Sequence, residues 1–325
     1  MFFLNDSGNM EGCDFFHMTE DAFHELSIED KAAYEACHAI SGSRLSDLCF
    51  VSRLAWNPGF GYRVAMVADA FCMVSDGGVF CRPHLAMPLG VVDAGHLGRV
   101  MDEIVPLFED KGWPMAVMYV EESHLPLFEA LRAQGYDTEA SFSQDYSDYI
   151  YNGDSMRTLS GKALHAKRNH LNRFARDYPD HRYDPVCAAD GPECLGLVHN
   201  WCREKEFDLN DLNVCDYVPI RVVFEHFNRL DVRGGVIRIG GAIRAFALGC
   251  TLEDGTAVIH FEKADPAYQG LYAAINNQVL CREFPDALLV NREEDMGIEG
   301  LRKAKQSYQP VSFADKYTVM VRRTG

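Results

Sequence analysis

Apolar positions along the chain follow two periods, which predict both helices and strands. In residues 94–111, apolar side chains recur from Leu97 at spacings of four, three and four, the pattern of an amphipathic helix. The continuous apolar run 115–120 predicts a buried strand. Shorter apolar runs ahead of this helix predict an antiparallel meander, at 48–51, 62–67, 70–74 and 79–81.

The second half of the chain repeats this order of elements. A hairpin around Gly240-Gly241 precedes a predicted strand at 257–262, a helix at 271–284 and a buried strand at 288–291. Further helices are predicted at 161–176, 217–230 and 300–307, with a closing strand at 317–323. The repeat predicts an α+β fold present twice, with mixed, mainly antiparallel sheets flanked by helices. We divide it at 1–155 and 156–325; two unrelated α+β halves are the alternative.

Composition places the chain among globular proteins and narrows its partners. Of 325 residues, 47% are hydrophobic and 24% are charged, and the net charge is −17. An acidic chain repels phosphate backbones, so DNA binding is not expected. No apolar run reaches the roughly 18 residues of a membrane span. Residues 1–6 lack the basic start and long apolar core of a signal peptide, so we expect a cytoplasmic protein.

The eleven cysteines predict no metal site. No Cys-x-x-Cys pair occurs, and the spacing of Cys187, Cys194 and Cys202 fits no standard zinc pattern. We expect reduced thiols, most of them small buried side chains.

A basic segment stands out against the acidic chain. Residues 161–176 contain no acid and five cations, Lys162, Lys167, Arg168, Arg173 and Arg176. This local positive field predicts a phosphate anchor, to which Asn169 adds an amide. The alternative is a solvated helix face that pairs with acids elsewhere.

A polar segment follows the predicted strand at 288–291. Its side chains include Asn291 and three consecutive acids, of which Glu293 and Asp295 are favoured by alternation. Ligands bind at the carboxyl ends of strands in open sheets, so a carboxylate here would hold an ammonium or act as a base. A solvated acidic loop is the alternative. Arg302 and Lys305 share a face of the next helix and either pair with these acids or neutralise a donor phosphate.

Two polar side chains lie on the predicted strand 257–262. His260 and Glu262 are two residues apart, so they point to the same side and form a possible proton relay. A hydrogen-bonded core histidine is the alternative for His260.

Several motifs together resemble one bacterial family. They are Ser-Gly-Lys at 160–162, Lys-Arg-Asn-His-Leu-Asn-Arg-Phe at 167–174, His-Phe-Glu-Lys-Ala-Asp at 260–265, Asn-Arg-Glu-Glu-Asp-Met-Gly at 291–297 and Gly-Leu-Arg-Lys-Ala-Lys-Gln-Ser-Tyr-Gln-Pro at 300–310. The chain resembles the soluble domain of phosphatidylglycerol lysyltransferases, which has a tandem GCN5-related N-acetyltransferase (GNAT) fold. The resemblance implies transfer of an aminoacyl group from a charged tRNA to a lipid hydroxyl.

The charged segments, taken together with this resemblance, predict where each substrate binds. The active cleft would lie in the second copy, and the first copy would serve as a scaffold. Glu262, Glu293 or Asp295 would orient the ammonium or take the proton. The donor phosphates would be held by Lys162, Lys167, Arg168, Arg302 and Lys305. Because the transmembrane half of the membrane enzymes is absent, the acceptor stays open among an amine, a hydroxyl and a lipid headgroup.

One loop distinguishes between donors. Acetyl-CoA enzymes of this fold cradle the diphosphate with a Gln/Arg-x-x-Gly-x-Gly/Ala loop at a helix start. At 267–272 Gly270 fits, but Ala267 and Tyr272 do not, and a bulky tyrosine obstructs approach of phosphate to the backbone. Aminoacyl-tRNA is therefore favoured. Acetyl-CoA-dependent N-acetylation and a non-catalytic binding module remain the alternatives.

Overall fold

A computed structural model describes residues 22–80 and 82–324 of the chain. Its strands are β1 (His24–Glu25), β2 (Arg63–Val67), β3 (Ala70–Ser75), β4 (His84–Ala86), β5 (Met115–Val120), β6 (Tyr136–Phe142), β7 (Asp148–Asn152), β8 (Arg182–Pro185), β9 (Arg233–Ile239), β10 (Ala242–Thr251), β11 (Ala257–Ala264), β12 (Leu289–Asn291), β13 (Ser312–Ala314) and β14 (Tyr317–Arg323). Its α-helices are α1 (Lys31–Ser41), α2 (Phe50–Phe60), α3 (Ala94–Asp110), α4 (Leu125–Ala130), α5 (Gly153–Thr158), α6 (His165–Asp177), α7 (Gly191–Glu204), α8 (Tyr217–Glu225), α9 (Leu271–Arg282) and α10 (Glu299–Gln306).

The strands form two seven-stranded sheets with the same internal order. The first sheet runs β1-β2-β3-β4-β5-β14-β6 and the second runs β13-β7-β12-β11-β10-β9-β8. In each, an antiparallel meander (β2-β3-β4 or β9-β10-β11) leads into a helix and then a parallel strand (β5 or β12). The duplicated α+β fold predicted from the sequence is confirmed.

Each sheet contains one strand from the other half of the chain. β7 lies beside β12 in the second sheet, and the C-terminal strand β14 lies between β5 and β6 in the first. The division at 1–155 and 156–325 stays a prediction, and under it β7 and β14 are exchanged between the two halves.

The second sheet opens at the carboxyl end of β12. The parallel strands β11 and β12 pair only through Ala257 with Val290 and Val258 with Asn291, although β11 continues to Ala264. Beside this opening the register between β10 and β11 shifts, so that Leu248 faces Phe261 and Gly249 faces Ile259. His260 is the extra residue of this bulge, a feature common next to active sites.

The structure differs from the sequence-based prediction at three places. The apolar run 48–51 is not a strand but the start of α2, whose residues are buried on nearly every side and therefore show little helical periodicity. The predicted strand at 79–81 is a short 3-10 turn at Gly78–Phe80, and Cys81 lies outside the described residues, as does the segment 1–6. Cys202 and Cys215 form a disulfide, so the prediction of reduced thiols is wrong for this pair.

Candidate functional site

A loop that follows β12 brings several of the predicted site residues together. The Lys305 ammonium on α10 holds this loop by donating to the backbone oxygens of Arg292 (2.5 Å), Glu293 (3.0 Å) and Glu294 (2.6 Å). Burial lowers the pKa of Lys305 to about 8. Because an ammonium has three N–H donors and all three are used, Lys305 positions the loop. A role for Lys305 in holding a donor phosphate stays a prediction, which these three bonds do not support.

Glu293 has an unusual backbone conformation within this loop. Its φ of 60° lies in the left-handed region, where a residue with a side chain is strained unless its surroundings fix it. The Glu293 N–H donates to Asn291 Oδ1 (2.8 Å), and the Glu293 carbonyl accepts from the Tyr149 N–H (3.1 Å). These bonds aim the Glu293 carboxylate at His260, whose Nδ1 lies 2.9 Å from Glu293 Oε1.

The relay predicted between His260 and Glu262 is not formed. His260 is buried, its Nε2 lies 3.2 Å from Cys250 Sγ, and its other ring nitrogen contacts Glu293. The bulge at His260 interrupts the regular alternation of β11, and Glu262 has different partners.

Glu262 and Arg292 form an ion pair across the opening between β11 and β12. Arg292 Nη2 lies 3.2 and 3.3 Å from the two Glu262 oxygens, and Asn276 Nδ2 on α9 donates to Glu262 at 2.8 Å. The side chains of Glu262 and Arg292 are each 14% exposed. Burial opposes the charge on Arg292, but the Glu262 carboxylate together with the nearby Tyr308 and Tyr151 raises the pKa of Arg292.

An aromatic ring joins this ion pair to the basic helix α6. The guanidinium of Arg292 lies 5.0 Å from the Tyr308 ring centre, and the Lys167 ammonium lies 4.0 Å from the same centre. Burial, together with the nearby positive charge of Arg292, lowers the pKa of Lys167. Two cations and one carboxylate thus surround Tyr308. We call Lys167, Glu262, Arg292 and Tyr308 the cleft cluster.

The other predicted ligands of the basic segment lie away from the cleft cluster. Arg168 donates to the carbonyls of Leu159 and Gly161, which fixes the turn before α6. Lys162 is exposed in that turn, and Asn169 is exposed with its amide 3.4 Å from His165 Nδ1. The phosphate anchor therefore stays a prediction for Lys162 and Asn169, whereas Arg168 has a structural partner.

The two remaining cations of α6 lie on a solvated helix face and pair with an acid, which was the alternative to a phosphate anchor. Arg173 and Arg176 pair with Asp177 at 3.2 and 3.0 Å on the solvent side. Exposed pairs of this kind contribute little to stability.

Gly270 begins α9 directly beneath α6. Its φ is 86°, and a Cβ placed on it would lie 2.5 Å from the backbone oxygen of His170. Only glycine permits this close approach of α6. The α6 backbone thus lies against the start of α9, and donor binding at Gly270 stays a prediction.

Asp295 is buried and fully engaged. Arg302 contacts both Asp295 oxygens at 2.8 Å, and the Tyr149 hydroxyl donates to Oδ2 at 2.5 Å. The hydrogen bonds from Arg302 lower the pKa of Asp295 to about 2. Arg302 thus pairs with Asp295, one of the two alternatives predicted for it, and a role of Asp295 as a base stays a prediction. Arg302 also contacts Asp145 at 2.5 Å.

Both amide donors of Asn291 are used within the protein. The side chain is buried, its Nδ2 donates to the Arg44 carbonyl (3.1 Å) and to Asp148 (2.8 Å), and its Oδ1 accepts from the Glu293 N–H (2.8 Å). Asn291 thus connects the loop to the first half of the chain, and its role in substrate binding stays a prediction.

The pairing of Asp295 predicts an acid-dependent loss of stability. Its folded pKa of about 2 lies below the ordinary 3.8, so its contribution is complete above about pH 4 and is lost as pH falls through 2. The shift corresponds to on the order of 2 kcal/mol. Urea unfolding from pH 5 to 2.5 should show a smaller loss for Asp295→Asn than for the wild type. Asp286→Asn, at an exposed position, should follow the wild type; equal losses in all three proteins would refute the assignment.

Sequence reasoning missed Arg292 and Tyr308. Both lie within motifs quoted above, but the alternation of the acids in the first motif favoured Glu293 and Asp295 instead. The usable signal was that Arg292 is the one cation between a strand end and three acids, and a partially buried arginine needs a carboxylate partner, which Glu262 provides.

The sequence and the fold both match known proteins. The model of a family described as "Phosphatidylglycerol lysyltransferase, C-terminal" matches residues 40–320. A conserved protein of unknown function from Bacteroides thetaiotaomicron is 31% identical, with a TM-score of 0.83, over 92% of this chain and 99% of that one.

Two further matches are more distant in sequence. The structure of L-PGS from Bacillus licheniformis matches with a TM-score of 0.62 and 17% identity over 91% of this chain and 92% of that one. An uncharacterised protein of Mycoplasmoides gallisepticum is 25% identical over 57% of this chain. That alignment spans only 59% of the length of the curated relative. Within residues 22–80 and 82–324, none of the helices has the length and apolarity required to cross a membrane.

Proposed function

This chain belongs to the phosphatidylglycerol lysyltransferase C-terminal family, and from that premise we propose that it transfers an aminoacyl group from aminoacyl-tRNA to an amine or hydroxyl acceptor at the cleft cluster. Family and fold make the chain a transferase of aminoacyl or acyl groups with tandem GNAT domains. The donor, the acceptor and the residue roles are the proposal.

The observation that carries the proposal is the position of the cleft cluster. Glu262 and Arg292 face each other where β11 and β12 stop pairing, so both side chains line an opening in the sheet. Lys167 adds a second cation from α6. Ligands of open sheets bind at this edge, and a carboxylate beside two cations can contact an ammonium and an oxyanion together.

The chemistry assigned to each residue follows from its charge. The acceptor nitrogen or oxygen attacks the ester carbonyl carbon of the donor while Glu262 accepts the acceptor's proton. Arg292 and Lys167 stabilise the oxyanion that forms on the carbonyl oxygen. The bond between the carbonyl carbon and the ribose oxygen then breaks, and the proton held by Glu262 goes to that oxygen. The products are the acylated acceptor and uncharged tRNA.

The start of α9 supports aminoacyl-tRNA over coenzyme A. A diphosphate bound at that helix start needs free backbone N–H groups, but α6 packs against Gly270 with the His170 carbonyl pointing at it. A carbonyl oxygen repels phosphate. On this proposal the protein acts in the cytoplasm, where charged tRNA is available.

Thermal stability distinguishes the two donors. Saturating acetyl-CoA at 100 times the dissociation constant would stabilise a binding protein by about 2.7 kcal/mol. We expect no rise in Tm with coenzyme A or acetyl-CoA, and retention of a charged tRNA on the protein in filter binding. Lys167→Ala should weaken that retention, whereas Lys303→Ala, an exposed lysine on α10, should not. A clear rise in Tm with acetyl-CoA and no tRNA retention would overturn the proposal.

A further inference from the structure

Two thiols and an imidazole from distant parts of the chain meet beneath the cleft. The ligand atoms of Cys49, Cys250 and His260 all lie within 4.8 Å of one another, and all three residues are buried. Cys49 precedes α2 in the first half, Cys250 lies on β10, and His260 is the bulge residue of β11. Neither their spacing in the sequence nor the proposed transfer reaction requires them to meet.

The orientation of His260 is that of a metal ligand. Its Nδ1 lies 2.9 Å from Glu293 Oε1, and its Nε2 faces Cys250 Sγ at 3.2 Å. In zinc proteins the ligating histidine commonly donates its other ring N–H to a carboxylate, which fixes the tautomer and the ring plane. Here the strained backbone of Glu293 aims that carboxylate at the ring. The bulge at His260 likewise places the imidazole beside the thiols.

We propose that Cys49, Cys250 and His260 bind a zinc ion. Two thiolates and one imidazole form a soft donor set that suits zinc, and tetrahedral coordination leaves one further position. Among the described residues no fourth ligand atom joins this group, so a water molecule would take that position.

A second cluster of metal-ligand side chains is already paired with a lysine. Asp47, Asp148 and Glu294 also lie close together, but the buried ammonium of Lys316 contacts all three carboxylates. A cation of the protein itself already neutralises that cluster. Within the described residues, the hydrogen bonds of Cys49, Cys250 and His260 involve no lysine or arginine.

Zinc at this position would connect the two halves of the chain. Cys49 belongs to the first half, and the other two ligands belong to the second sheet behind the cleft. The ion would thus act on stability, independently of donor or acceptor. A metal that binds the folded state but not the unfolded chain increases the free energy of unfolding.

The test measures metal content and stability of untagged, reduced protein. We expect about one zinc per chain by elemental analysis after dialysis, and a fall in Tm of several degrees when a strong chelator removes it. Returning zinc should restore the Tm, while magnesium should not. Cys187→Ser, which removes an exposed thiol, should retain the zinc.

Variants of the ligands complete the test. Cys250→Ser and His260→Ala should lose zinc and no longer respond to the chelator. Because either variant can fail to fold, the chelator and zinc titrations of the wild type decide the question alone. A reduced wild type that contains less than a tenth of a zinc per chain and shows no change in Tm on zinc addition would overturn the proposal.

Discussion

Glu262→Gln is expected to lower the rate of group transfer by about 100-fold or more, the usual contribution of a positioned general base. The substitution keeps the size of the side chain and one oxygen for Arg292. It removes the carboxylate that takes the proton from the attacking amine or hydroxyl. Binding of the donor should change little, because Lys167 and Arg292 remain. Initial rates with saturating donor, together with Tm, measure the two effects separately.

The matched control for this variant is Glu225→Gln. Glu225 lies on α8 in an exposed pair with Arg221 at 2.6 Å, away from the opening in the sheet. Its variant should retain the wild-type rate. A Glu262→Gln protein that is folded and transfers at the wild-type rate would remove Glu262 from the mechanism.

Lys316→Met is expected to destabilise the protein by roughly 3–5 kcal/mol, the range for breaking a buried ion pair by removing one partner. The Lys316 ammonium is 6% exposed and lies 2.6 Å from Asp148 and 2.8 Å from Glu294, and it also contacts Asp47. Methionine fills the same space but leaves the buried Asp148 and the partly buried Asp47 and Glu294 in mutual repulsion. Urea unfolding at pH 8 measures the loss.

The pH dependence provides a second readout for Lys316→Met. Burial raises the pKa of Glu294 to about 7, so in the folded state this carboxyl takes up a proton more readily than in the unfolded chain. Stability linked to Glu294 is therefore highest below its ordinary value of 4.5 and falls as pH rises through 7. Without Lys316 this fall should steepen, so the deficit should be larger at pH 8 than at pH 5.5.

An exposed lysine serves as the control. Lys303→Met breaks an exposed pair with Glu299 and should change stability by less than about 0.5 kcal/mol. A Lys316→Met deficit as small as that of Lys303→Met would show that the buried cluster is not held by Lys316.

The sequence predicted the elements that have a clear period. The predicted helix 94–111 and strands 115–120 and 317–323 correspond to α3, β5 and β14 within one residue. The strand predicted at 48–51 was wrong. α2 is buried on nearly every side, including at polar positions such as Arg53, so it lacks a one-sided apolar period, and Pro58 and Gly59 within it are untypical of a helix. The exchange of β7 and β14 between the sheets could not be predicted from the sequence pattern, because strand pairing depends on contacts between residues far apart in the chain.

The sequence predicted which segments form the site, but not which side chains contact each other. The motifs at 260–265 and 291–297 do lie together, but the partner of each side chain depends on register. A single bulge at His260 separates its contacts from those of Glu262, and the left-handed Glu293 reverses the expected alternation of the acids. Lys305 and Asn291 became structural because a polar loop buried beside a sheet must satisfy its own backbone.

The most direct test of the central claim is transfer itself. Purified protein is incubated with tRNA charged with labelled amino acids, together with phosphatidylglycerol vesicles or a small amine, and the label in the acceptor is measured. We predict label transfer by the wild type at least about 100-fold faster than by Glu262→Gln, with no stimulation by acetyl-CoA. Acetyl transfer from acetyl-CoA with no loss of label from charged tRNA would contradict the account.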